Sequence, residues 1–144
     1  LSNEEACTQV KTIQKDINRG DKWVKFFEGG GGRTFYYDKT SIKQQSKKYM
    51  MVWTRFEADD VAAYVQERKN NDLPIKGYEN FSHNLTSHRI ECSSEQIGLI
   101  SAVVYDTNDR VINSYTGESK IMEPIVPDSM GASLLKTVCD KKKK

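Results

Sequence analysis

The sequence contains no Cys-x-x-Cys pair, only two histidines and only three prolines in 144 residues. Without cysteines at short spacing, neither a zinc knuckle nor a thioredoxin-type redox site has a basis. His83 and His88 stand five residues apart in a stretch that reads as a strand, so their side chains are expected on opposite faces. A shared metal ion or a histidine-based acid–base unit is therefore not expected, and no cofactor is implied. No apolar run approaches the roughly 20 residues of a membrane-spanning helix. The chain opens on Leu1 rather than Met and no signal-peptide pattern is read in it, so the start is expected to be a processed end or a cut boundary from which any export signal has been lost.

An excess of one charge is also lacking. The formal net charge is +2, but Lys141 to Lys144 supply four positive charges; without them 18 basic residues face 20 acidic ones. Nucleic-acid binding needs a basic face on the folded body, which this balance does not provide. The tail reads as a solvated end. Three motifs lack the context their chemistry requires. Gly29 to Gly32 lead into Arg33 and a second strand, whereas a phosphate-cradling loop ends in Gly-Lys-Ser/Thr and opens a helix. Ser133-Leu134-Leu135-Lys136 has the Ser-x-x-Lys spacing of penicillin-recognising enzymes without their companion motifs. Asp106 to Arg110 starts like a calcium loop, but Arg110 occupies a ligand position and the glycine is missing. A hairpin turn fits that stretch better. Asn80 and Asn84 each open an Asn-x-Ser/Thr glycosylation pattern, which would matter only in a secreted eukaryotic chain.

What the sequence does contain is an ordinary globular composition, 37% hydrophobic and 29% charged, at a length that fits one domain. Ser2 and Glu5 have capping-box spacing, and Cys7, Val10, Ile13 and Ile17 recur at helical steps, so residues 1–20 read as an N-terminal helical segment ending at Gly20. Trp23 to Phe27 and Thr34 to Tyr37 are aromatic-rich strands around the glycine turn. Tyr49 to Ala58 reads as a third strand, and Asp59 or Asp60 caps a short helix over Val61 to Lys69. Tyr78 to Ser93, Gln96 to Thr107 and Arg110 to Tyr115 complete an antiparallel meander of about six strands. At the end, Asp128 or Ser129 opens a helix with Met130, Leu134 and Val138 on one stripe and Leu135 and Cys139 beside it. The fold class is α+β. Several strands carry bulky groups at both parities, so both sheet faces call for cover, either by a terminal helix on each side or by a sheet curled on itself.

The ordered set of Tyr36, Tyr37, Asp38, Ser41 and Ile42, then Val52 and Trp53, Cys92, Tyr105 with its hairpin, and Pro127, Ser129, Leu134, Leu135 and Cys139 resembles the surface-adhesin E family of exported Gram-negative bacterial proteins. The resemblance spans about Trp23 to Cys139, within a domain of residues 21–140; the N-terminal helix, Cys7 and the 59–77 connection fall outside it. It implies an antiparallel sheet packed with a C-terminal helix, and a disulfide between Cys92 and Cys139. Three cysteines alone leave two buried free thiols as an open alternative. Trp23, Tyr37, Trp53, Tyr105, Leu134, Leu135 and Val138 are the expected core scaffold. The resemblance further implies a periplasmic, outer-membrane-associated or secreted location. It also implies a non-enzymatic role, with binding of host extracellular-matrix or serum proteins such as vitronectin and laminin, or of a bacterial envelope component. Candidate binding loops are Lys43, Lys47 and Lys48 after the second strand, and Arg68 and Lys69. A ligand carrier or enzyme with a pocket between sheet and helix is the alternative, and an open sheet edge would allow a homodimer.

Overall fold

The computed structural model of the protein describes residue 20, residues 22–117 and residues 122–142. The N-terminal helix and Cys7 anticipated from the sequence lie outside these. Eight strands form one antiparallel sheet: β1 (Trp23–Gly29), β2 (Arg33–Asp38), β3 (Lys43–Gln44), β4 (Met50–Ala58), β5 (Phe81–Glu91), β6 (Gln96–Asp106), β7 (Val111–Thr116) and β8 (Glu123–Pro124). The main path is the meander β1-β2-β4-β5-β6-β7, with β3 on β4 and β8 on β6. Helix α1 (Val61–Asn70) follows β4, and α2 (Met130–Lys142) ends the described chain. The six long strands and both helices lie where the sequence predicts them. One start differs: Tyr78–Asn80 is a 3-10 turn entered through Gly77 at φ 85, so β5 begins at Phe81. A left-handed residue breaks an extended run, and glycine takes that conformation at little cost.

Polar side chains set the turns. Asp38 Oδ1 accepts from the backbone N–H and hydroxyl of Thr40, and the Ser41 hydroxyl accepts from the Trp53 N–H at 2.9 Å. The turn after β2 is thereby tied to β4. Asp106 Oδ1 accepts from the N–H groups of Asn108 and Arg110, so the calcium-like stretch is a hairpin closed by its own carboxylate. Asp60 caps α1 by accepting from Ala63 N–H, and Ser129 Oγ accepts from Ala132 N–H at the start of α2.

The N-terminal helix expected to cover one side lies outside the described residues, and both described helices pack on the same sheet face. Alternate β4 residues make this plain. Met50 and Val52 join Ile90 and the α2 residues Leu134, Val138 and Cys139 in one apolar cluster. Phe56 and Ala58 join Tyr78, Phe81 and Val104 in a second, against Val61, Tyr64 and Val65 of α1. Bulges explain how bulky residues of both parities reach one face. Lys25 pairs with Tyr36 but Phe27 with Phe35, leaving Phe26 as the extra residue; both phenylalanines then pack on the Phe35 ring. Likewise, Ser82 is extra on β5 and Ile100 on β6, which puts Phe81 beside Phe56 and lets Ile97 and Val104, of opposite parity, both reach the helix face.

Of the anticipated core, Leu134 and Val138 are fully buried, while Trp23, Tyr37, Trp53, Tyr105 and Leu135 are half-buried. Tyr37 and Leu135 border the first cluster. Tyr105 stacks on His83, its ring centroid 5.0 Å away. Arg55 and Glu57, two apart on β4, form a largely buried ion pair at 2.8 Å.

Candidate functional site

The first feature with functional meaning is covalent. Cys92, just beyond β5, and Cys139, in the last turns of α2, are bonded, with Cα atoms 5.8 Å apart. The Leu134 and Val138 stripe presses α2 onto Met50, Val52 and Ile90, which brings the two sulfurs together. A link across 47 residues removes unfolded-chain entropy worth about 4 kcal/mol, and it persists only in an oxidising compartment. A groove beside the bond is lined by Ser93, Glu95, Leu135 and Lys136.

The two sets of candidate binding cations lie at opposite ends of the sheet. Lys43, Lys47 and Lys48 are exposed on the β3–β4 hairpin, which pairs with the first residues of β4. Arg68 and Lys69 lie in α1, which begins beyond the other end of β4; a nine-residue strand separates the two by roughly 30 Å. They cannot form one patch. The lysine hairpin is ordered: Gln45 N–H bonds the Tyr49 carbonyl, and Ser46 Oγ accepts from the N–H groups of Lys48 and Tyr49. Lys48 Nζ lies 3.8 Å from the Glu91 carboxylate, next to the disulfide. Lys69 is exposed, whereas Arg68 is half-buried against aromatic rings.

A third feature escapes sequence reasoning. An open cleft of about 470 Å³ lies between the lower ends of β6 and β7 and the start of α2. Ile97, Leu99, Ile125, Val126 and Met130 supply apolar walls, and His88 is the buried polar group among them. The His88 Nε2 lies 2.9 Å from the Thr54 hydroxyl. Burial pushes the His88 pKa down to about 4, so the ring is neutral at pH 7. His83, on the other face, is also pushed down to about 4, first by burial and then by the positive Arg55; Glu57 and Asp109 oppose this. Tyr115 and Val126, at 56% and 66% exposure, stand on the cleft rim. Ile125 and Val126 sit between two prolines with no helical or strand period to mark them; their lone signal is apolar residues in a turn-rich segment.

Among the described residues, no three His, Cys, Asp or Glu side chains converge as a metal site, and no helix is long and apolar enough to cross a membrane. With the sheet, the covalent lock and the single-sided helices in place, comparison with known proteins is decisive. The family model for surface-adhesin protein E matches residues 23–140. The chain belongs to the surface-adhesin protein E family. Membership identifies an exported or surface-associated protein of adhesin type. Solved structures of Haemophilus influenzae protein E are similar in fold. One is 10% identical with a TM-score of 0.54, the match covering 87% of this chain and 92% of that chain. Another is 11% identical with a TM-score of 0.53, covering 85% and 86%. At such identity the likeness concerns the fold alone. A search of curated protein sequences finds no match.

Within the surface-adhesin E family fold, Cys92 and Cys139 take up the expected disulfide. Asp38, Ser41 and Trp53, which carried the sequence resemblance, form the tie between the β2 turn and β4.

Proposed function

We propose that this chain is a non-enzymatic adhesive domain that binds a host extracellular-matrix or serum protein, of which vitronectin and laminin are representative. The observation that carries the reading is the disulfide-locked end of a surface-adhesin E domain presenting an ordered hairpin with Lys43, Lys47 and Lys48 exposed. A rigid scaffold lowers the entropy cost of ordering a contact loop on binding. Three close cations favour an acidic segment of the partner and speed encounter with it.

The test is surface plasmon resonance of the purified protein over immobilised vitronectin and laminin, alongside the Lys43→Glu, Lys47→Glu, Lys48→Glu triple variant. Saturable binding that weakens with salt and is lost in the variant supports the reading. No saturable binding to either protein, or equal binding by the variant, overturns it.

A further inference from the structure

We propose that the cleft between β6, β7 and α2 is a binding site for a small, uncharged, ring-bearing molecule with one hydroxyl or ring N–H, hydrogen-bonded at its base to His88. The inference stands apart from the adhesive reading, because it uses neither the lysine hairpin nor the disulfide.

Three observations carry it. The volume of about 470 Å³ and the apolar walls suit a compact organic ligand rather than a chain of ordered waters. Second, His88 is one of the cleft's lining residues, is 7% exposed and has one nitrogen engaged: Nε2 with the Thr54 hydroxyl. The other, Nδ1, has no hydrogen-bond partner among the described residues, and it is not sealed away, since Ser87 Oγ is the one side-chain atom there both sealed and unpaired. A hydroxyl both donates and accepts, so Thr54 satisfies Nε2 in either tautomer and leaves Nδ1 as acceptor or donor. A ligand hydroxyl or ring N–H suits that atom. Burial keeps the ring neutral, so it offers no charge to hold an anion.

The third observation is the shape of the walls. A Cβ placed on Gly131, in the first turn of α2, would meet Ile125 at 3.6 Å, ordinary contact distance, so the lack of a side chain there leaves room in the cleft. On the opposite wall Gly117 lies so close to β6 that a Cβ would fall 2.2 Å from the Leu99 carbonyl oxygen. One wall is therefore fixed by backbone contact, and the other is left open at a helical position.

The experiment titrates the oxidised protein with 4-ethylphenol, ethylbenzene and 4-ethylbenzoate, following backbone and imidazole signals in ¹H–¹⁵N spectra. Expected are saturable shifts at Gly98, Gly117 and Gly131 with 4-ethylphenol and a shift of the His88 Nδ1 signal. Ethylbenzene should bind about tenfold more weakly, because it leaves Nδ1 unpaired, and the charged benzoate should not bind. Gly131→Leu fills the cleft from the helix, and Val126→Trp fills it from an exposed rim position; both should abolish the shifts. No saturable shift with 4-ethylphenol, equal affinity for ethylbenzene, or unchanged binding in both filled variants would overturn the proposal.

Discussion

Arg68 lies over the ring of Tyr78, its guanidinium carbon 3.9 Å from the ring centroid, while its Nε donates to the Pro74 carbonyl at 2.9 Å. A cation that reads in sequence as a surface contact is thus a brace. It holds α1 and the following loop against the sheet. Helix α1 needs one, because none of its residues is fully buried. Arg33 adds a second tie, paired with Glu67 and 5.6 Å from the Tyr64 ring centroid. Stacked guanidinium contacts of this kind contribute about 0.5–2 kcal/mol.

Arg68→Ala should accordingly lower the free energy of unfolding by about 1–2 kcal/mol in urea melts. Lys69→Ala, at an exposed neighbour, should stay within about 0.5 kcal/mol of the parent. Equal effects of the two substitutions would contradict the brace.

The strands were legible in sequence because aromatic and β-branched residues cluster between turn signals, as in Trp23 to Phe27 or Met50 to Phe56. The Asp106 turn was legible from its turn-forming residues, whereas Asp38 was singled out only through the family resemblance. The cysteine pairing was legible through the family resemblance. What escaped was decided by single extra residues. Phe26, Ser82 and Ile100 each shift the side-chain alternation by one, so an unbroken period of two assigns the residues beyond them to the wrong face. Strands β3 and β8 have two residues each, too few for any period. Arg68 looked exposed because its partners, Tyr78 and Pro74, come into reach only through tertiary folding.

Gly117 should tolerate no side chain. Its N–H donates to the Ile100 carbonyl at 2.8 Å, and a Cβ would stand 2.2 Å from the Leu99 carbonyl oxygen. Backbone cannot yield as a flexible side chain does. Gly117→Ala should cost roughly 1–3 kcal/mol or more, read as a lowered urea midpoint. Gly131→Ala, with 3.6 Å of room, should be neutral or slightly stabilising. The reverse order would contradict the packing described for the cleft.

Stability should fall with acidification before most carboxylates titrate. His88 has a folded pKa of about 4 against an ordinary 6.5, because burial penalises its charged form. Between those values the unfolded chain binds more protons than the folded one, so unfolding becomes easier as pH drops from 6.5 towards 4. For His88 the loss is on the order of 3 kcal/mol. His83 acts in the same direction. Urea melts at pH 7.0, 5.5 and 4.5 should show the decline, and His88→Gln should flatten it. A slope unchanged by that substitution would contradict a buried neutral His88.

The most direct measurement is a thermal melt of the oxidised protein against the same protein reduced and alkylated, with intact mass taken before and after. The central claim is that sulfur joins β5 to the final helix across 47 residues. It predicts two hydrogens missing per oxidised chain from the Cys92–Cys139 bond, and a midpoint lower by roughly 10 °C or more once the bond is cut. Free thiols at Cys92 and Cys139 in oxidised material, or identical melts, would contradict it.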